Sequence, residues 1–132
     1  MPFPDFIIGG APKSGTTALY NYLGQHPGVF TCVPKEPNYF LNWGEVQAWG
    51  CLYTEDEYKA LFDEKDDRQV AGEGSTWYLN HAERVAPRMA ETIPSVRLLF
   101  LLRNPIDRAY SDYWYNLLRG HLPSRRPFSW YV

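Results

Sequence analysis

Residues 6–20 read FIIGGAPKSGTTALY, in which an apolar run passes through a glycine-rich loop into a helical pattern. The first three residues predict a short buried strand. Leu19, Tyr22 and Leu23 recur at the spacing of one helix face, so a helix should begin soon after the loop. This order of strand, loop and helix indicates an α/β fold organised around residues 10–17.

The loop is suited to holding an anion. Backbone N–H groups at a helix start lack intrahelical partners and lie at the positive end of the helix dipole, so they attract phosphate or sulfate. Gly10 and Gly15 let the backbone approach such a group closely, and Lys13 supplies a cation. The hydroxyl groups of Thr16 and Thr17 add donors in the first turn. The alternative is a tight glycine turn in which Lys13 is merely solvated.

The spacing of this loop differs from the nucleoside-triphosphate loop G-x-x-x-x-G-K-[ST], because Lys13 precedes the second glycine instead of following it. A second apolar run, residues 96–102, predicts a central parallel strand buried on both faces. In triphosphate-binding proteins such a strand typically ends in an acid that holds Mg²⁺, whereas this one ends in Arg103. A small-molecule kinase is therefore the weaker alternative, and Arg103 favours direct pairing with a second phosphate without a metal.

A helix start follows Arg103 directly. Asn104 is the predicted N-cap, Pro105 fits the first helical position, and Asp107 complements the helix dipole. Ser111 lies about 140° around the helix from the start of the apolar stripe, so we expect it to face a ligand. The predicted buried face consists of apolar residues at helical spacing, namely Ile106, Ala109, Tyr110, Tyr113 and Leu117.

Residues 33–41, VPKEPNYFL, predict a rigid polar loop, because two prolines fix a non-helical path around Lys35 and Glu36. A carboxylate held in such a loop is a candidate general base. The alternative is a surface ion pair between Lys35 and Glu36 of little energetic weight. Glu73 is a competing carboxylate, because it ends a predicted strand at residues 69–73, before a small polar loop.

Composition indicates one α/β domain. The 132 residues are 45% hydrophobic and 17% aromatic, and the formal net charge of −2 provides no basic field for nucleic acid. Cys32 and Cys51 lack the spacing of metal ligands or of a disulfide framework, so we expect free thiols and no metal site. No charged segment with a long apolar run precedes the first strand, so we expect no signal peptide or membrane anchor and a cytoplasmic location.

Local signals place two further helices. Thr54 and Glu57 match the capping box that opens a helix. Residues 80–93 have helical periodicity, and Pro87 predicts a break between a first turn and a separate helix.

The number of strands predicts a partial domain. Convincing strands lie near Phe6, Val70 and Leu99, with a short one near Val29, whereas sheets usually have about five or six. Residues 127–132 are also largely apolar and would ordinarily be covered. We therefore expect residues 1–132 to form a single domain that is incomplete at its C-terminus.

Together these residues resemble the N-terminal part of a sulfotransferase that uses 3′-phosphoadenosine 5′-phosphosulfate (PAPS), over about residues 4–120. Residues 11–17 resemble the 5′-phosphosulfate loop of that family, and residues 102–111 resemble its 3′-phosphate segment. Lys35, Glu36 and Pro37 match its carbohydrate-type branch.

The resemblance implies a P-loop-NTPase-like fold, with a parallel sheet, helices on both faces and the nucleotide at the carboxyl ends of the strands. It implies PAPS as the donor, no metal, and a hydroxyl or amine of a small-molecule or carbohydrate acceptor. Lys13 and Glu36 would be catalytic, Lys13 on the leaving phosphate and Glu36 as general base. The residues implied to hold the donor are Lys13, Ser14, Gly15, Thr16 and Thr17 at the 5′ end, with Arg103 and Ser111 at the 3′-phosphate.

The chain also departs from the family. That branch often has a histidine where this chain has Asn38 and a lysine where it has Gly74, so carbohydrate, lipid, phenol and peptide acceptors all stay open. A fragment that binds PAPS or its desulfated product without turnover is the non-enzyme alternative. Three histidines match no catalytic histidine of the family and are predicted to be structural or surface residues, namely His26, His81 and His121.

Overall fold

The computed structural model describes residues 3–41, 53–123 and 126–132. Within these ranges, four parallel strands form one sheet in the order β2-β3-β1-β4. The strands are β1 (Phe6–Gly10), β2 (Val29–Thr31), β3 (Val70–Gly74) and β4 (Arg97–Phe100). Cys51, predicted to be a free thiol, lies outside the described residues, whereas Cys32 is a buried free thiol.

Helices lie between these strands and after the last one. The α-helices are α1 (Thr16–Gly24), α2 (Glu55–Ala60), α3 (Ala82–Thr92), α4 (Pro105–Leu118) and α5 (Phe128–Tyr131), and 3₁₀ turns cover Tyr39–Leu41 and Thr76–His81. Thr54 caps α2 with the predicted capping box. None of the described helices combines the length and the apolar content needed to span a bilayer.

The alternation of side chains along β1 produces two cores, one on each face of the sheet. Ile7 packs on one face with residues of α2, α3 and the Tyr39–Leu41 turn, including Tyr58 and Phe40. Phe6 and Ile8 pack on the other face with Tyr20 of α1. The predicted α/β architecture, a parallel sheet with helices on both faces, is therefore confirmed.

The position of β4 differs from the prediction of a central, fully buried strand. β4 lies at the edge of the described sheet, and Leu98, Leu99 and Phe100 are 45%, 39% and 46% exposed. The interior strands are β3 and β1, and Ile7 and Ile8 of β1 are fully buried. An apolar run predicts burial on both faces but contains no information about which strand pairs with which.

Two helices, α3 and α4, also differ in part from what the sequence predicts. α3 continues through Pro87, because this proline and Glu83, whose carbonyl loses an intrahelical donor, are both exposed, so water can satisfy the carbonyl. In α4 the predicted Asn104 cap is present and accepts from the backbone N–H groups of Ile106 and Asp107. Tyr113 is buried as predicted, whereas Ile106 is 71% exposed.

Candidate functional site

A cavity of about 1240 Å³ lies where the strands end and their following segments begin. The β1–α1 loop, the segment after β3 and the start of α4 all contribute to it, as the topology of a parallel sheet requires. It brings together most of the predicted site residues, namely Lys13, Gly15, Thr16, Thr17, Glu36, Arg103 and Ser111.

The N-terminus of α1 is open toward this cavity. Gly15 is the N-cap with φ 89° and ψ 11°, a left-handed conformation that favours glycine. A Cβ at Gly15 would meet no atom within 4 Å, so the space before the helix is free for a ligand. Ser14 differs from its neighbours, because its Oγ is buried with no hydrogen-bond partner in the described part of the chain, and Ser14 does not line the cavity.

Lys13 is held at the cavity from two sides. Its Nζ lies 3.9 Å from the centre of the Tyr115 ring, a favourable cation–π distance. Its carbonyl oxygen accepts a hydrogen bond of 3.1 Å from Nη1 of Arg103. This bond joins the β1–α1 loop directly to the residue that precedes α4.

The cavity is electropositive although the whole chain has a net charge of −2. Four cationic side chains line it, and two carboxylates, Glu36 and Asp112, oppose them. A ligand with several negative charges would therefore be favoured there. The four cations are Lys13, Lys35, Arg103 and Arg119.

Three donors converge on the carboxylate of Glu36. Lys35 Nζ lies 2.9 Å from Oε1, and the Thr76 hydroxyl donates to the same oxygen at 2.9 Å. The Thr76 backbone N–H donates to Oε2 at 3.3 Å. The side chain of Glu36 keeps 30% of its surface exposed, so the carboxylate is oriented and still accessible from the cavity.

Glu73 is placed differently from Glu36. It is fully buried and does not line the cavity, so it cannot contact a bound acceptor in this arrangement. Burial raises its pKa to about 7, against the lowering effect of the neighbouring hydroxyl groups of Tyr58, Tyr78 and Ser75. Of the two candidate carboxylates, only Glu36 reaches the cavity.

Sequence reasoning missed part of this site. Tyr115 and Arg119 line the cavity from α4, and Arg119 also lies against the Tyr115 ring at 5.2 Å. Both follow Ser111 at four-residue intervals, so extending the Ser111 face along the helix would have found them. His121, predicted to be a structural or surface residue, is exposed at the cavity rim and contacts Asn116.

The described residues contain no group of three or more His, Cys, Asp or Glu side chains that could hold a metal ion.

Comparison with known proteins identifies similar sequences. A sequence model of a protein family, described as “Sulfotransferase family”, matches residues 4–129. The chain is 34% identical over 115 residues to the membrane-associated sulfotransferase kil1 of Dictyostelium discoideum, covering 86% of this chain and 23% of that protein. It is 36% identical over 125 residues to bifunctional heparan sulfate N-deacetylase/N-sulfotransferase 1 of Mus musculus, covering 90% and 13%.

A third relative is heparan sulfate glucosamine 3-O-sulfotransferase 6 of Homo sapiens, 35% identical over 127 residues, covering 94% of this chain and 34% of that protein. Among solved structures, a sulfotransferase from Alicyclobacillus acidocaldarius superimposes with a TM-score of 0.84 at 33% identity. That match covers 98% of this chain and 55% of the solved chain. The chain thus spans about a third or less of the three relatives and about half of the solved structure.

Proposed function

The chain belongs to the sulfotransferase family, as its motifs predicted, and from that membership we propose that it transfers a sulfuryl group from PAPS to a hydroxyl or amine. A carbohydrate is the acceptor class we favour, because two of the relatives above are named for heparan sulfate. Glu36 and its lysine neighbour, which match the carbohydrate-type branch, also favour it.

One observation carries the proposal: two anion-binding segments face one cavity. The open N-terminus of α1 with Lys13 suits the 5′ phosphosulfate, and Arg103 with Ser111 suits the 3′-phosphate. Arg103 uses one N–H on the Lys13 carbonyl, which leaves four of its five donors for a ligand.

The proposed reaction assigns separate roles to Lys13 and Glu36. The acceptor oxygen or nitrogen forms a bond to sulfur, while the bond from sulfur to the bridging phosphate oxygen breaks. Lys13 would stabilise the charge that develops on that leaving oxygen, and Glu36 would take the acceptor proton. Lys35 and Thr76 occupy three of the roughly four lone-pair positions of the Glu36 carboxylate, so one remains for the proton.

We also propose that this 132-residue chain is a partial sulfotransferase domain. The 55% coverage of the solved sulfotransferase supports this, as do the exposed apolar side chains of β4. A chain that binds PAPS or its desulfated product without turnover is the corresponding alternative. The cytoplasmic location stays a prediction, and fractionation of cells that express the protein would test it.

Calorimetry tests the donor assignment. PAPS or its desulfated product should bind more tightly than ATP, with equal affinity in the presence and absence of EDTA, because cationic side chains hold the phosphates. Arg103→Met should weaken this binding by roughly 10- to 100-fold, the effect of losing charge-assisted hydrogen bonds. Arg68→Met is the matched control, since Arg68 is 92% exposed and lies outside the cavity.

Equal or tighter binding of ATP that disappears with EDTA would contradict the proposal and favour a kinase. A turnover assay with labelled PAPS and a library of acceptors then separates an active enzyme from a binding fragment.

A further inference from the structure

The segment at the end of β3 lies beside the segment that carries Glu36. The Glu36 N–H donates to the Gly74 carbonyl at 2.9 Å. Two residues further on, the Asn38 N–H donates to Ser75 Oγ at 2.9 Å. These bonds hold residues 36–38 against residues 74–75, next to the cavity.

The backbone at Glu36 needs this support, because its conformation is unfavourable. Glu36 has φ 65° and Asn38 has φ 55°, both in the left-handed region that residues with a side chain rarely adopt. Such a conformation persists only where the surrounding structure holds it. The direction in which the Glu36 side chain leaves the backbone is therefore set by its contacts with the end of β3 and the residues after it.

Thr76 binds the Glu36 carboxylate directly, at both oxygens. Its hydroxyl donates to Oε1 at 2.9 Å, and its backbone N–H donates to Oε2 at 3.3 Å. Thr76 is only 5% exposed and begins the Thr76–His81 turn. Both donors are therefore held in place by the fold, and bulk water competes little for them.

This two-point contact fixes the plane of the carboxyl group. The terminal torsion of a glutamate is broad, so a carboxylate held by one donor can rotate. Lys35 also donates to Oε1, at 2.9 Å, but its ammonium group ends a flexible chain at the cavity, where a ligand anion would compete for it. Thr76 would keep its contact in that case, because one of its two donors belongs to the backbone.

We propose that Thr76 is the positioning residue for Glu36: its hydroxyl and its N–H fix the carboxyl plane so that Oε2 receives the acceptor proton. Of the three donors, two bind Oε1 and one binds Oε2, which leaves the fourth lone-pair position on Oε2. As the acceptor atom bonds to sulfur, its bond to hydrogen breaks and the proton passes to Oε2. The electron pair of the breaking bond between sulfur and oxygen stays on the phosphate. The inference rests on the proposed function only in the catalytic role of Glu36; the two-point contact is independent of it.

Steady-state kinetics test the positioning role with Thr76→Val, which removes the hydroxyl and keeps the side-chain shape and the backbone N–H. The kcat should fall roughly 10- to 100-fold, the effect of losing a hydrogen bond to a charged group. The KM for the donor should stay the same, because the proposed donor site does not include Thr76. Thr76→Ser, which retains the hydroxyl, should recover most of the lost turnover.

Two further variants separate positioning from a general structural effect. In a Glu36→Gln background, Thr76→Val should cause no further loss of kcat, because the carboxylate that Thr76 positions is already gone. Thr92→Val is the matched control and should leave kcat unchanged, since Thr92 ends α3 and does not line the cavity.

Amide hydrogen exchange by NMR tests the contact without requiring turnover. In Thr76→Val the carboxyl group can turn away from the remaining N–H. Exchange at position 76, corrected for the intrinsic rate of each residue, should then be roughly three- to ten-fold faster, the effect of weakening one hydrogen bond. The amides of Glu36 and Asn38, which bond to Gly74 and Ser75, should keep their wild-type rates.

Thr76→Ala, with the same expectations, keeps the proposal falsifiable if Thr76→Val fails to fold. Unchanged kcat in an active chain, or a loss that Thr76→Ser does not recover, would overturn the positioning role. Equally accelerated exchange at Glu36, Asn38 and position 76 would also overturn it, because the whole segment would then have loosened. Absence of turnover in the unmodified chain would count against the proposed function alone, and exchange at position 76 would still decide whether Thr76 holds Glu36.

Discussion

At the scale of single residues, the environment separates two carboxylates of the same chemistry. Glu36 lies at the cavity with three donors around it, and part of its surface remains accessible. Glu73 is fully buried, and this burial disfavours its charged form although the Tyr58 hydroxyl donates to it. Glu36 is accessible from the cavity, as its proposed role as general base requires, whereas Glu73 is not.

Glu36→Gln tests the first of these roles. If Glu36 is the general base, the variant should lose roughly 10²- to 10⁴-fold in turnover, because an amide cannot take the acceptor proton. Affinity for the donor should be unchanged, which calorimetry would measure. Loss of donor binding would instead indicate a structural role, and unchanged turnover would refute the assignment.

The buried carboxyl of Glu73 should make stability depend on pH. Its pKa in the folded chain is raised by burial from 4.5 to about 7, so folding favours the protonated form. This contribution to the free energy of unfolding is complete below about pH 4.5 and is lost as the pH rises through about 7. Denaturant unfolding of the wild-type chain and Glu73→Gln between about pH 5 and 8 would measure it. A stability difference that is constant over this range would contradict the expectation.

At the scale of elements, the start of α4 connects local sequence to the site. The Asn104 side chain accepts from two backbone N–H groups, and Pro105 occupies the first helical position. The helix begins two residues after Arg103, and its register determines where Ser111 and Tyr115 face. A local cap therefore sets the geometry of one wall of the cavity.

Asn104→Ala should reduce the free energy of unfolding by about 1 kcal/mol, the usual effect of removing an N-cap side chain. Because the first turn of α4 would fray, donor affinity should also fall. Asn80→Ala is the matched control, since Asn80 is an exposed asparagine in the 3₁₀ turn. Equal stability of the two variants in chemical denaturation would show that the cap contributes nothing.

The elements that sequence predicted are those with local signals. The loop before α1, the Thr54 capping box and the Asn104 cap each depend on residues within a few positions of one another. Strand order was not predictable in this way, because the apolar run of β4 is compatible with a central or an edge position. Tyr115, by contrast, lies one helical turn after Ser111, so extending that face of α4 would have found it.

At the scale of the whole molecule, exposed apolar side chains lie on the edge strand of the described sheet, after it and on α4. Leu102 is 80% exposed and Leu118 is 81% exposed, in addition to the β4 side chains. Several large apolar side chains exposed in this way suit a surface on which further polypeptide packs. It agrees with the proposal that the 132 residues are part of a larger domain.

The isolated chain should therefore self-associate, and Leu102→Ser with Leu118→Ser should reduce the association seen by sedimentation velocity. Little stability should be lost, because both side chains are exposed already. Tyr22→Ser, which removes a 71% exposed aromatic side chain from α1, controls for a general gain in polarity. A monomeric chain that unfolds cooperatively and turns over fully would contradict the partial-domain proposal.

The hydrogen bond from Arg103 to the Lys13 carbonyl has a consequence for ligand selection. Because this bond joins the two proposed anion-binding segments, it fixes the distance between them. The site should therefore select ligands whose two charged groups are separated by that distance. Adenosine 5′-phosphosulfate lacks the 3′-phosphate, so it would contact the loop before α1 and leave Arg103 without a phosphate to bind. In competition binding, its affinity should therefore be well below that of PAPS. Equal affinities would mean that the two segments do not bind the donor together.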